Sequence, residues 1–224
     1  MPNRFDGKRI AKMFDYTFTH WATFLTAAFL LNLSPGPDMA FILGQTARRG
    51  ISSGFSAMFG IWSGAFVHVI FAALGLSAIL ATSALVFSIV KWIGAIYLIW
   101  LGIQAIRSEG VLISAGEHTS SEGMAKIFKQ GVWVDVLNPK VALFFLAFLP
   151  QFTVEGAGPV SAQLFLHGVL IIVVAAFVEP PLILIGGKLT AYLSNSRKVS
   201  RWMDRGLGAL FIGLGIKLAT TDKI

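Results

Sequence analysis

Two long apolar stretches of this 224-residue chain are interrupted by proline at matching places. The first reads LNLSPGPDMAFILGQTARRG over Leu31–Gly50, the second DVLNPKVALFFLAFLPQF over Asp135–Phe152. Each interruption falls in a run long enough to cross a bilayer, and each is followed by two further apolar runs. Hydrocarbon offers no partner to backbone groups freed by a break, so the break must be buried in protein or line a cavity. Matching broken segments in two halves of a membrane protein point to a transporter's binding site.

The composition agrees. The chain is 55% hydrophobic and 13% charged, whereas soluble domains carry about 25% charge. The net charge of +7 does not indicate nucleic acid, because the basic residues lie between apolar runs rather than in one patch. There they set membrane orientation. The absence of cysteine excludes disulfides, redox pairs and thiolate metal sites. His20, His68, His118 and His167 are scattered, with no His-x-x-x-His pair, and no metal or other cofactor is expected. Arg4, Lys8, Arg9 and Lys12 ahead of Trp21–Leu33 imitate a signal peptide, but no small-residue cleavage site follows. The run reads as a retained first span.

Six segments reach spanning length: His20–Thr46, Gly54–Ala81, Leu85–Ile106, Val132–Phe152, Gln163–Gly187 and Trp202–Ala219. The polar stretch Arg107–Lys129 divides them three and three, and an odd number per half inverts the second half. Gly94-Ala95-Ile96-Tyr97-Leu98 in the third segment is echoed by Gly208-Ala209-Leu210-Phe211-Ile212 in the sixth. The expected fold is an all-α integral membrane protein of six transmembrane segments, built as two inverted three-helix repeats with the first and fourth segments broken at proline. Its divisions are a basic tail 1–19, a first repeat 20–106, a polar connection 107–131 and a second repeat 132–224.

Lys and Arg in the loops after segments one, three and five number ten, against seven on the other side. The positive-inside bias then places those loops in the cytoplasm and both termini outside. Four of the seven lie in the N-terminal tail, and Met13 stands just before the first span. The bias predicts that residues 1–12 are a mis-assigned start or absent from the mature protein.

At the first break, Pro35 and Pro37 lack N–H donors and Gly36 adds backbone freedom. A helix restarting at Pro37 puts Asp38 in its first turn. That carboxylate either complements the positive helix end or, as an ionisable group deep in the membrane, marks a substrate or proton path. Gln45 lies two turns on, on the same face. At the second break Asn138 is a good N-cap, Pro139 fits the first turn and Lys140 follows, with Asp135 three residues before the cap. This is either an interfacial helix start or the partner of the first break across a pseudo-twofold axis. In the second case two half-helix termini face one cavity, where N–H groups and Lys140 favour a carboxylate. Glu179, followed by Pro180 and Pro181, is the only charged residue in its segment. It carries a proton, pairs with a cation, or simply faces a polar pocket at a kink. Ser56, Gly60, Gly64 and His68 share one helical face. Gly60 and Gly64 form a small-xxx-small packing motif, which serves contacts within a chain or between copies and leaves a homo-oligomer open. His68 is a packed histidine or a proton relay.

These residues closely resemble the LysE/RhtB family of bacterial amino-acid exporters. The resemblance runs over nearly the whole chain after Met13. Its carriers are Ser34-Pro35-Gly36-Pro37, Arg49-Gly50, the Gly60/Gly64/His68 face, KWIGAIYLIWLGI (Lys91–Ile103), LNPKVALFFLAFLPQF (Leu137–Phe152), Trp202-Met203-Asp204-Arg205 and Gly208–Gly215. It implies a multi-pass bacterial inner-membrane protein that exports amino acids or close analogues by proton antiport. It assigns Pro35, Gly36, Pro37 and Asp38 to one half of a substrate site, and Asn138, Pro139 and Lys140 to the other. Glu179, Asp38 and His68 become the proton-coupling candidates. The expected partners are an amino acid, protons and the lipid bilayer. The Pro180-Pro181 doublet departs from the family pattern. A carrier for an inorganic cation would need clustered His, Cys or acidic ligands. An intramembrane enzyme or assembly factor would show no flux in vesicles, and no nucleophile–base motif within one segment favours an enzyme.

Overall fold

The computed structural model describes residues 14–33, 36–78, 84–107, 123–195 and 197–220. Pro35, His118, the 1–12 tail and most of the polar connection lie outside the described residues. All regular structure among the described residues is helical. Among the described residues, two stretches are long and apolar enough to cross a membrane alone, Ile51–Leu76 and Val160–Ile185, and Met124–Val136 with Pro139–Phe152 makes a third bent by 47°. Phe18–Leu33 and Trp92–Gln104 are shorter apolar helices. Large side chains such as Phe18, Phe71, Trp92 and Phe177 point outward, exposed. An apolar exterior of this kind is what lipid requires.

In chain order the helices are α1 (Phe18–Leu33), α2 (Pro37–Arg49), α3 (Ile51–Phe71), α4 (Ala84–Arg107), α5 (Met124–Val136), α6 (Pro139–Leu143), α7 (Val160–Asn195) and α8 (Arg197–Thr220). A π-helical turn, Ala72–Leu76, extends α3. Another, Phe144–Phe148, follows α6 and leads into a 3₁₀ turn, Leu149–Phe152. The first segment is thus two helices, α1 and α2, with Pro37 at the first turn of α2. Gly36 is extended there (φ −166°, ψ −177°), a conformation open to any residue. Its lack of a side chain matters for a different reason. A Cβ at Gly36 would stand 2.9 Å from Lys140 Nζ.

The fourth segment differs from the sequence expectation. Its helix begins at Met124, not Val132, so the break at Leu137–Asn138 falls near the middle of the helical stretch rather than close to its start. Lys126 and Lys129 hid this beginning from hydropathy, because both project from the exposed side of the first turns of α5. The restart follows the expected chemistry. Asn138 Oδ1 accepts the Lys140 backbone N–H at 3.0 Å, and Pro139 occupies the first helical position. Helix α7 runs unbroken through Pro180 and Pro181.

Close backbone approach fixes the helix pairs. A Cβ on Gly60 would collide with the Phe128 carbonyl oxygen and lie 3.0 Å from Gly131 Cα. One on Gly131 would lie 2.6 Å from the Ala57 carbonyl oxygen, so α3 and α5 meet through reciprocal glycines. Helices α4 and α8 do the same: Gly102 faces the Gly208 carbonyl and Gly208 the Gly102 carbonyl, at 2.6 and 2.5 Å from the missing Cβ atoms. Two apolar clusters result. One gathers Phe24, Phe144, Phe148, Phe152 and Leu164, the other Ile42, Met58, Ile61, Ile127 and Ile183.

Candidate functional site

A cavity of about 50 Å³ has walls from both clusters, including Ile61, Phe145 and Ile171, and contains most of the buried charge. Asp38 from α2, Asp135 from α5, Lys140 from α6 and Glu179 from α7 all line it, together with Asn32 and Trp62. Four separate helices therefore bring charged groups to one place.

The two proline breaks meet directly. Asn138 Nδ2 donates to Asp38 Oδ1 at 2.7 Å, across 100 residues of sequence. The Asn138 side chain is thus engaged at both of its ends, its oxygen capping α6 and its amide holding the first turn of α2. Lys140 reaches the same junction, its Nζ filling the space that the missing Gly36 side chain leaves. Pro37 and Pro139 set the two restarts but are exposed; the polar contacts come from their neighbours.

Glu179 is buried, and its Oε2 accepts the Trp62 indole N–H at 2.8 Å. Trp62 lies between Gly60 and Gly64 on α3, so the packing that brings α3 in also delivers this donor. A hydrogen bond to a charged group contributes about 1.5–3 kcal/mol. Trp62→Phe keeps the ring and removes the donor, and is expected to lower transport about 10–100-fold in protein that still folds. A rate per folded molecule equal to wild type would show that the bond serves no functional purpose.

His68 stands beside Asp135, its Nε2 3.3 Å from the Asp135 backbone oxygen and 4.0 Å from Oδ2. Gly64 does more than allow helix contact. A Cβ there would lie 2.7 Å from Asp135 Cβ, so this glycine seats the carboxylate. Gln45 does not line the cavity; it is partly buried on α2, with Oε1 lacking a hydrogen-bond partner among the described residues.

Sequence reading missed several of these residues. Asn32 is the only side-chain amide in α1, and an amide in an apolar run was a usable signal. Nothing local ties Trp62 to Glu179, 117 positions away. The histidines that read as scattered include a pair: His20 Nε2 and His167 Nε2 are 2.8 Å apart. His167 Nδ1 bonds the Gln163 carbonyl at 2.8 Å, so Nδ1 carries the proton, Nε2 accepts and His20 donates. Tyr16 stacks on His20 at 4.2 Å and donates to Gln163 Oε1 at 3.0 Å. Burial pushes the Tyr16 phenol up to about 12, so it remains a neutral donor at physiological pH. Among the described residues, no three His, Asp or Glu side chains stand close enough to hold a metal ion.

Paired helix breaks around a charged cavity in an apolar helical protein define a membrane transporter. The sequence matches the LysE type translocator family over residues 29–222, and the chain belongs to that family. It is a transport protein and not an enzyme. A homoserine/homoserine lactone efflux protein of Salmonella typhimurium is 31% identical over 205 residues, covering 91% of this chain and 98% of that protein. A leucine efflux protein of Klebsiella pneumoniae is 27% identical over 209 residues, covering 93% and 99%. An uncharacterized membrane protein of Pseudomonas aeruginosa is 30% identical over 204 residues, covering 89% and 94%. No solved structure matches the chain.

Proposed function

We propose that this protein exports an amino acid, or a close analogue, from the cytoplasm across the bacterial inner membrane in exchange for protons. The observation that carries the proposal is the junction of the two proline breaks. There Asp38, Asn138 and Lys140 meet at a cavity that also holds Asp135 and Glu179. Both signs of charge in one buried cavity suit a zwitterion better than a simple ion. The efflux relatives, named for leucine and homoserine, support the same substrate class.

In this reading Lys140 and the N–H groups opening α2 attract the substrate carboxylate. The acidic side chains face its ammonium. The glycine-lined pairs α3–α5 and α4–α8 each join a helix of one half of the chain to a helix of the other, and rocking of the two inverted repeats about these seams exposes the cavity to either side. Protons enter on Glu179 or Asp38, with His68 beside Asp135 as a relay.

Purified protein in lipid vesicles is expected to exchange internal for external labelled amino acid. The panel is the proteinogenic amino acids plus L-homoserine. An imposed pH gradient should raise net flux, and a protonophore should abolish the increase. Absence of exchange across the panel would overturn amino-acid export. Exchange with net flux indifferent to the gradient would overturn proton coupling alone.

A further inference from the structure

Away from the cavity, α1 and α7 are joined by a contact that depends on how many protons it holds. His20 Nε2 and His167 Nε2 lie 2.8 Å apart. His167 is 1% exposed, and its Nδ1 proton is committed to the Gln163 carbonyl at 2.8 Å. A further proton on this ring therefore goes to Nε2. While one proton lies between the two Nε2 atoms, one ring donates and the other accepts. Once both rings are charged, each Nε2 has its own proton, neither can accept, and like charges face each other. The bond between the helices is then lost. His20 is only partly buried, so protons reach the pair from its side.

The elements around the pair bring few other charges. Helix α1 has no Asp, Glu, Lys or Arg, and α7 has none before Glu179 at the cavity. Asp15 and Glu155, on the segments leading into α1 and α7, are exposed. Lys217 is the charged residue in the last turn of α8, which packs on α1. Tyr16 stacks on His20 at 4.2 Å and Trp21 on His167 at 5.5 Å, and an aromatic face accommodates a cation.

The pair is linked to the cavity through α1. Tyr16 donates to Gln163 Oε1 at 3.0 Å, and the Phe14 N–H donates to the Ala157 carbonyl at 3.0 Å. Both bonds hold the chain before α1 against α7 whatever the state of the histidines. With the histidine bond gone, α1 can pivot about that anchor, and the swing is largest at its far end. There Leu31 and Asn32 line the cavity, and Asn32 Nδ2 makes a second polar tie to α7 through the Ile171 carbonyl at 3.2 Å.

We infer that the facing Nε2 atoms of His20 and His167 form a proton-released latch, which in acid frees the α1 wall of the cavity from α7. The pair lies at the end of the bundle opposite the basic loops, the end that the positive-inside bias puts outside the cell. Acid outside thus speeds exchange. The role in exchange rests on the reading of the protein as an amino-acid exporter.

The chain has no cysteine, so spin labels attach only where cysteines are introduced. Phe29→Cys on α1 and Val173→Cys on α7 use exposed positions. In lipid vesicles the distance between the labels is expected to lengthen by on the order of 2–5 Å from about pH 7.5 to about pH 5. Exchange of L-leucine or L-homoserine, with equal pH on both sides, is expected to rise about tenfold over the same interval. His20→Gln keeps an amide that can donate or accept near Nε2 but takes no proton. It should hold the short distance and slow exchange at both pH values. His20→Ala should show the long distance and fast exchange at both. A wild-type distance indifferent to pH, or a His20→Gln distance that lengthens in acid as wild type does, would overturn the latch while leaving amino-acid export standing. Exchange by His20→Gln equal to wild type in acid would overturn its control of transport. A wild type whose distance shifts but which exchanges no amino acid at either pH would overturn the exporter reading instead, and the latch's role in exchange with it.

Discussion

Asp38→Asn is expected to lower export at least ~100-fold while leaving the protein folded. Asparagine can turn its carbonyl oxygen toward Asn138 Nδ2 and keep the 2.7 Å bond that joins the two breaks. What it cannot keep is the charge. Lys140 lines the same cavity, partly buried, with its Nζ against Gly36. Removing one partner from a buried pair typically costs about 3–5 kcal/mol, because the remaining charge loses its compensation. Asp135 and Glu179 offset part of that loss, which holds the expected effect near its lower end. The check is initial export rate per folded molecule, with folding read by size-exclusion profile. An Asp38→Asn protein that exports at the wild-type rate would remove Asp38 from the site.

Gly60→Leu is expected to prevent correct assembly altogether. The added Cβ alone would collide with the Phe128 backbone oxygen, and Gly131 Cα lies 3.0 Å away. Neither atom belongs to a flexible side chain, so α3 and α5 must separate. Overpacking in a well-packed core costs about 1–3 kcal/mol and more when backbone must move. Separation would also withdraw Trp62 from Glu179 and Gly64 from Asp135, so the damage reaches the cavity. Gly44→Leu is the control, since a Cβ there meets nothing within 4 Å. Thermal unfolding in detergent should show Gly44→Leu near wild type and Gly60→Leu strongly destabilised or aggregated. Equal melting of the two would refute the close-contact argument.

The roles of individual residues were legible to different degrees. Pro37 and Pro139 at helix starts and Asn138 as a cap follow from local backbone chemistry. Each is a statement about a few neighbouring residues, and the structure places all three as that chemistry requires. The extent of α5 was not legible. Its first turns carry exposed lysines, and a helix that emerges from the apolar zone loses the hydropathy signal without losing its hydrogen bonds. Asp135 was visible as a carboxylate three residues before a cap. Its surroundings came only with the tertiary structure, in which Gly64 and His68, both from another helix, stand against it.

The sequence by itself determined the class of protein. Apolar runs of spanning length demand helices in lipid, and proline without an N–H demands that two segments break where protein can cover the break. These constraints act along the chain and need no knowledge of neighbours. Only the tertiary structure decided which polar groups meet. Asp38 with Asn138, Trp62 with Glu179 and His20 with His167 are separated by 100, 117 and 147 positions. Each meeting depends on helix packing set by side-chain volume, above all by glycines that let backbones approach. No periodicity in the chain records which glycine faces which carbonyl.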